Sequence, residues 1–301
     1  MIVSNIPVDN LFASLSLWPD AQRNYDALAS VKVRDLGVAT LMFNPARVRS
    51  TAAKIDAAAV ARRPCFLCRA NRSALQSAIP WRTYEVLVNP FPIFPHHLTI
   101  ASSTHEPQAL SPRVADLFTL ARQLPDYTVF FNGAKCGASA PDHAHFQAAK
   151  ELSSSPVLQA VLSDNGKVIA SSDDGSIVAS TASRRLAYRI SSPNEDAAAR
   201  LFALLMGSRQ IDEEMLNAAA LLRPDGTAVD IVIIPRRRFR PWQFDADPAD
   251  QIMVSPAAVE VLGFLILPRL DDFNKMTPDV ASDIIRQVCF ASDDELNPNA
   301  Q

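Results

Sequence analysis

The period of apolar and polar positions changes several times along the chain, and the changes mark the elements. Tyr84-Glu85-Val86-Leu87-Val88 and His97-Leu98-Thr99-Ile100-Ala101 have the residue types and the spacing of strands. Between them, Asn89 to Pro95 holds three prolines, which impose an irregular extended loop. From Ser111 to Leu124 the apolar residues Val114, Leu117, Phe118, Leu120, Ala121 and Leu124 recur at helical spacing. Tyr127 to Phe131 predicts another strand, followed by a loop of small residues from Gly133 to Ser139. The next strand contains His143-Ala144-His145-Phe146-Gln147. Period-two alternation there puts His143, His145 and Gln147 on one face and Ala144, Phe146 and Ala148 on the other. Residues 84–150 thus predict an α+β unit on a largely antiparallel sheet.

The flanking segments follow the same logic. Val8 to Leu17, Ala21 to Ala29 and the Ala-rich Ala52 to Arg62 read as helical, and Val31 to Phe43 as one or two strands. In the second half the outline repeats. A strand at Leu186 to Ile190 precedes a helix from Asn194 to Met206, with Asn194 or Ser192 near its N-cap. Met215 to Leu222 and Ala228 to Ile234 then flank the turn Arg223-Pro224-Asp225-Gly226. Gly263 to Pro268 reads as a buried strand, and Asp279 to Phe290 as a closing helix. Val229 to Ile234 falls where the histidine-bearing strand would fall and carries no histidine. The expected organisation is an N-terminal extension with a catalytic unit (1–152), a linker (153–174), a degenerate second copy (175–291) and a polar tail (292–301).

Composition narrows the class. A 301-residue chain that is 48% hydrophobic can build a large core. A net charge of −3 gives bulk electrostatics no preference for nucleic acid or an anionic membrane. No apolar run reaches membrane-spanning length, and the N-terminus lacks a signal-peptide pattern. The 4 cysteines are too few for a disulfide scaffold of this size, so a reducing cytoplasm is the expected location.

Cys65-Phe66-Leu67-Cys68 is a knuckle-like turn whose two thiolates have the spacing to share a tetrahedral Zn²⁺. Two more ligands are needed, and His105 and His143, both near strand ends, are available. A redox pair, or two buried cysteines, are the other readings of this CxxC. If His143 binds metal, His145 is left as the nucleophile. A neutral imidazole can attack phosphorus and carry a nucleotidyl group, which divides one difficult transfer into two steps. The plainer reading of His145 is a hydrogen-bonded polar residue on a sheet. Gln147 can donate to a phosphoryl oxygen without the repulsion that a carboxylate would bring. Asn132, Gly133, Lys135, Gly137 and Ser139 are the candidate phosphate-binding groups of the small-residue loop. Arg236, Arg237 and Arg238 are candidates for neutralising a leaving group, as are Arg47, Arg49, Arg62 and Arg63 for phosphate; each alone reads more readily as solvated surface charge.

The segment His143-Ala144-His145-Phe146-Gln147 resembles the His-x-His-x-Gln signature of the galactose-1-phosphate uridylyltransferase branch of the histidine-triad (HIT) superfamily. The proline-rich Asn89 to Ile100 followed by His105, and the Cys65–Cys68 pair, are similar to further features of that branch. The match is good over 65–150 and only in outline beyond. Cys136 to Asp142 and Ser255 to Glu260 look like a bacterial branch related to the two-unit phosphorylases, which act on dinucleoside polyphosphates or GDP-hexoses. The resemblance implies two tandem HIT-type units, the second degenerate, with zinc on Cys65, Cys68, His105 and His143. It implies the covalent histidine at His145 and the phosphate-binding glutamine at Gln147. Asp142, directly before His143, departs from the uridylyltransferase pattern; it can orient a ligand histidine. The implied activity is nucleotidyl transfer from a nucleotide sugar or dinucleoside polyphosphate to phosphate or a sugar phosphate. A hydrolase of the same superfamily, or a non-catalytic nucleotide- or zinc-binding module, are the alternatives. A monomer or a homodimer is expected.

Overall fold

In the computed structural model, which describes residues 4–52 and 57–297, thirteen strands form two sheets. In chain order they are β1 (Lys32–Asp35), β2 (Thr40–Phe43), β3 (Ala78–Trp81), β4 (Tyr84–Val88), β5 (His97–Ser102), β6 (Thr128–Asn132) and β7 (His145–Ala149). The second half contributes β8 (Lys167–Ser172), β9 (Gly175–Ser180), β10 (Ala187–Ser192), β11 (Leu216–Leu222), β12 (Val229–Pro235) and β13 (Phe264–Leu267). Ten of them make one antiparallel sheet in the order β3-β4-β5-β7-β6-β11-β12-β10-β9-β8.

That order is the same when read inward from either edge. Each half supplies three successive strands, then a helix, then two strands whose order is exchanged. The two halves join where β6 pairs antiparallel with β11, Phe130 lying opposite Ala219. The crossing helices, Val114–Gln123 and Glu195–Arg209, sit between equivalent strands and pack on the same core. Asn194 caps the second helix by accepting from the Ala197 N–H at 2.9 Å, and acidic residues occupy its first turn.

Both faces of the central strands are covered, which is why β12 reads Val-Asp-Ile-Val-Ile-Ile-Pro with every position buried. Phe131, Phe146 and Ile231 face the helical layer. Phe130, Val232 and Ile234 face a second layer built from β13, the helix Pro156–Ser163 and the helix Pro278–Val288. In that layer β1, β2 and β13 form a small sheet in which β2 and β13 run parallel. This pairing ties residues 32–47 of the extension to the second half, and it delivers Arg47, just past β2, to the candidate site.

The structure corrects three expectations. Residues 153–174 are no open linker: they hold the helix Pro156–Ser163, capped by Ser155, and the edge strand β8. The Ser, Asp and Gly residues of this stretch form a helix cap and the tight β8–β9 turn, where Gly175 has φ 126°. His143 lies before β7, not in it. The tail carries a short helix, Asp293–Leu296; residues 298–301 lie outside the described residues. The expected helix over 52–62 is found as Val48–Thr51 and Ala57–Ala61, with 53–56 outside the described residues. Residues 1–3, at the N-terminus that lacks a signal-peptide pattern, lie outside the described residues, as does the Arg49 side chain. Among the described residues no helix is long and apolar enough to cross a membrane.

Candidate active site and metal centre

Cys65, Cys68, His105 and His143 converge, with one ligand atom of each lying within 4.8 Å of the others. Cys65 Sγ is 3.4 Å from His143 Nδ1, and Cys68 Sγ is 3.3 Å from His105 Nδ1. A tetrahedral zinc with about 2.3 Å bonds to sulfur and about 2.0 Å to nitrogen sets ligand atoms roughly 3.3–3.8 Å apart. The donor set and its spacing therefore fit a metal ion. Two local features aim the ligands. The Cys68 N–H donates to the Cys65 carbonyl at 3.3 Å and closes the turn. His143 Nε2–H donates to the Ser102 carbonyl at 2.9 Å, which turns Nδ1 toward the sulfurs. Asp142 stands 3.5 Å from His105 Nε2, so the unexpected carboxylate faces the other ligand histidine.

Two residues on, His145 opens β7 opposite Ala101 of β5. Its Nδ1–H donates to the His143 carbonyl at 2.8 Å, which leaves Nε2 with its lone pair. His145 is buried, and burial lowers its pKa to about 4, so the imidazole is neutral near pH 7. The β6–β7 ladder stops at Phe130–Gln147, and beyond it the strands separate. Gln108 fills the gap: its Nε2 donates to the carbonyls of Asn132 and His145, and its Oε1 accepts from the His145 N–H.

His145 and Gln147 line a cavity of about 640 Å³. Among the described residues its lining includes Arg47, Arg63, Arg72 and Arg240 against one carboxylate, Glu260. Arg72 pairs with Glu85, and Arg63 donates to the Ser139 carbonyl while stacking on Phe66. Arg240 stacks on Phe239 and Phe244 and donates to Ser255 Oγ at 3.0 Å. Burial raises the pKa of Glu260, which accepts from the Ala257 N–H at 2.9 Å. Apolar surface comes from Trp18, Leu87 and Ile93 and from the half-exposed ring of Phe91. The cavity is thus an apolar cleft with a cationic excess, a combination that suits an aromatic base attached to phosphates.

The small-residue loop divides into two parts. Asn132, Gly137 and Ser139 line the cavity. Gly133 and Lys135 do not: their N–H groups donate to the carbonyls of Leu216 and Glu214, and the Lys135 ammonium pairs with Glu214 on the surface. A Cβ on Gly133 would lie 2.5 Å from the Glu214 carbonyl oxygen, and one on Gly137 would lie 2.5 Å from Ala257 Cβ. Both glycines serve the docking of this loop on the second half. Arg236 is also elsewhere. It is 3% exposed, and its guanidinium donates to Asn217 Oδ1 and to the carbonyls of Val288, Cys136, Arg238 and Phe239. Arg237 pairs with Glu295, and neither it nor Arg238 lines the cavity. Arg62 is exposed outside the cavity, whereas Arg47 and Arg63 are in its wall.

His97, Gln108, Arg72, Arg240 and Glu260 escaped the sequence reading. His97 and His96 are adjacent, and nothing in their order shows that one is 1% exposed and the other paired with Glu151. In the second half a local two-fold through the Phe130–Ala219 pair carries His145 onto Asp230. Asp230 lies opposite Ser191 of β10, as His145 lies opposite Ala101 of β5. The carboxylate is buried and held by Arg223 at 2.8 and 3.0 Å, so an ion pair occupies this position of β12.

The architecture has solved counterparts. Yeast Ap4A phosphorylase Apa2 superposes with a TM-score of 0.57 and 17% identity, over 91% of this chain and 97% of that one. The chain shares the fold of Apa2. Apa2 in complex with Ap4A gives a TM-score of 0.58 at 16% identity, over 92% of this chain and 98% of Apa2. Apa2 in complex with AMP gives 0.57 at 15%, over 90% and 97%. Residues 11–150 match the family model described as "Domain of unknown function (DUF4922)". No curated protein matches the chain. The resemblance drawn from the His-x-His-x-Gln segment thus meets an Apa2-like fold that extends over the second half as well.

Proposed function

We propose that the protein is a nucleotidyltransferase or phosphorylase acting on a nucleotide sugar or a dinucleoside polyphosphate. The observation that carries this reading is His145: neutral, buried, tethered through Nδ1–H, and lining an arginine-rich cavity beside Gln147. In the first step His145 Nε2 attacks the α-phosphorus. The N–P bond forms, the bond from phosphorus to the bridging oxygen breaks, and the distal phosphate portion leaves with that oxygen. In the second step an oxygen of inorganic phosphate or a sugar phosphate attacks the same phosphorus. The N–P bond breaks, and the imidazole returns to its starting state. Gln147, Asn132 and the N–H groups of Gly137 and Ser139 are the donors assigned to the oxygens on which charge builds, the Ala138 N–H being spent on the Gly133 carbonyl, and Arg47 and Arg63 are assigned to the phosphates that leave.

The metal is zinc in this reading. Four protein ligands make a closed, structural site, so a bound zinc ties the 65–68 turn to the ends of β5 and β7. It thereby holds the His143 carbonyl, to which His145 is tethered. The repeated strand order is read as two HIT-type units, the second closed by Asp230 and Arg223.

The test is a panel of labelled donors (UDP-sugars, GDP-sugars and Ap4A) offered with phosphate or sugar phosphates. An acid-labile protein–nucleotide adduct is expected with at least one donor, and its absence is expected in His145→Gly. A wild type that forms no adduct with any donor overturns the covalent route.

A further inference from the structure

Two groups at either end of the proline-rich loop, on His97 and Asn89, meet at one atom, Gln147 Oε1. His97 is 1% exposed at the start of β5, and its Nδ1 accepts from the Ile93 N–H at 3.1 Å. A backbone N–H is always a donor, so Nδ1 carries the lone pair and the proton is on Nε2. Nε2–H points at Gln147 Oε1 at 2.9 Å. Asn89 is set in the same way. Its Oδ1 accepts from the Phe91 N–H at 2.9 Å, which turns its NH₂ toward Gln147 Oε1 at 3.4 Å. Two backbone N–H groups therefore decide which end of the Gln147 amide faces inward. Pro90, Pro92 and Pro95 restrict the backbone that carries them. Gln147 lines the cavity, and with Oε1 taken up by these contacts the NH₂ is the end of the amide left for a ligand there.

Burial and the nearby Arg47 cation keep His97 neutral, with its pKa lowered to about 3. The ring cannot gain a second proton and lose its acceptor role in the ordinary pH range. The ring packs on Phe130, with ring centroids 5.9 Å apart.

We propose that His97 and Asn89 are positioning residues that lock Gln147 with its NH₂ toward the phosphoryl oxygens of the bound nucleotide, so that position 147 is a fixed donor. This rests on the transfer reading above and adds to it the direction of the Gln147 dipole and the reason for the proline-rich loop. A glutamine left free to flip could turn its carbonyl oxygen toward the phosphate, where the two would repel.

A double-variant cycle tests it. His97→Phe keeps an aromatic ring and removes the donor. Loss of one hydrogen bond to a charged oxygen slows adduct formation by about 10- to 100-fold. Because His97 acts through Gln147, the pair His97→Phe/Gln147→Ala should form adduct no more slowly than Gln147→Ala alone. A further slowing in the double variant, equal to that of His97→Phe by itself, means a general structural role and overturns the proposal. A second measurement stands apart from catalysis. Nitrogen-15 NMR of the wild-type imidazoles should show His97 protonated at Nε2, and the Gln147 NH₂ signals should shift when Ap4A is added. A His97 protonated at Nδ1, or Gln147 signals indifferent to every nucleotide of the panel, overturns the proposal whatever the enzyme does. If no adduct forms but these signals behave as described, the covalent route fails and the orientation device stands.

Discussion

Gln108 holds His145 by both edges of its backbone: it accepts from the His145 N–H at 2.8 Å and donates to the His145 carbonyl at 3.0 Å. A third bond, to the Asn132 carbonyl at 3.0 Å, makes this one side chain a substitute for the β-ladder where β6 and β7 part. The parting gives the small-residue loop its entrance to the cavity, and Gln108 keeps it from leaving buried polar groups unpaired.

Gln108→Leu should therefore cost both stability and chemistry. It abandons one buried N–H and two carbonyls, each worth about 1 kcal/mol or more, so a loss of about 2–4 kcal/mol in unfolding free energy is expected. Denaturant titration reads that loss. Adduct formation should slow even under conditions where the variant is fully folded, because the register of His145 against Asn132 is no longer fixed. A variant with wild-type stability and rate would show that the ladder holds without this amide.

The four ligand atoms of the Cys and His cluster predict a metal content of about one zinc per chain, measured by plasma mass spectrometry on protein purified without added metal. Cys68→Ser should lose most of it, because Cys68 Sγ approaches both His105 and His143. The variant should also melt at a lower temperature, since metal held only by the native state stabilises that state. Wild-type protein with no bound metal, and a melting temperature indifferent to a chelator, would return the cluster to a set of reduced thiols.

How far the site was legible depended on whether its residues are near in sequence. His145 and Gln147 share a strand, and alternation alone put them on one face. The Cys and His cluster was legible because CxxC spacing is itself a chemical signal, and the two histidines were the remaining candidates of suitable type. Gln108 and His97 carry no such mark: their roles arise from a strand separation and from two backbone N–H groups, neither of which is written in residue order. The arginines misled for a related reason. Arg236-Arg237-Arg238 looks like a basic cluster, yet the chain turns there, and Arg236 is spent on carbonyl oxygens. Arg47, Arg72 and Arg240 are scattered over about two hundred residues and are gathered only by the β2–β13 pairing and the packing of the second half. The linker was misread because Ser, Asp and Gly mark caps and hairpin turns as often as open chain.

Asp230 offers a contrast with His145 at the equivalent strand position. It is buried, and Arg223 and Ser191 hold its oxygens. Arg223→Met leaves that carboxylate without its cation, and about 2–3 kcal/mol of stability should be lost. The rate of adduct formation by the folded variant should stay within about two-fold of wild type, well below the ten-fold that 1.4 kcal/mol would produce, because the second unit has no reacting group in this reading. A large fall in rate with unchanged stability would show that the second half takes part in the chemistry.

His97 also predicts a pH dependence of folding with a definite sign. Its native pKa is lowered to about 3 by burial first and by the Arg47 charge second, with the Gln147 hydrogen bond opposing. The unfolded imidazole titrates near the ordinary value of about 6.5. Below that value the unfolded chain binds a proton that the native chain refuses, so stability falls as pH drops from about 6.5 toward 3. Between pH 7.5 and pH 5 this one residue should remove about 2 kcal/mol. His97→Phe lacks the group, so the drop in unfolding free energy over that interval should be smaller in the variant by about the same amount, while contributions from the other histidines cancel in the comparison. Equal drops in the two proteins would mean that His97 takes up a proton in the native state at pH 5. The donor–acceptor order from Ile93 through His97 to Gln147 could not then persist, because a doubly protonated ring has no lone pair to offer the Ile93 N–H.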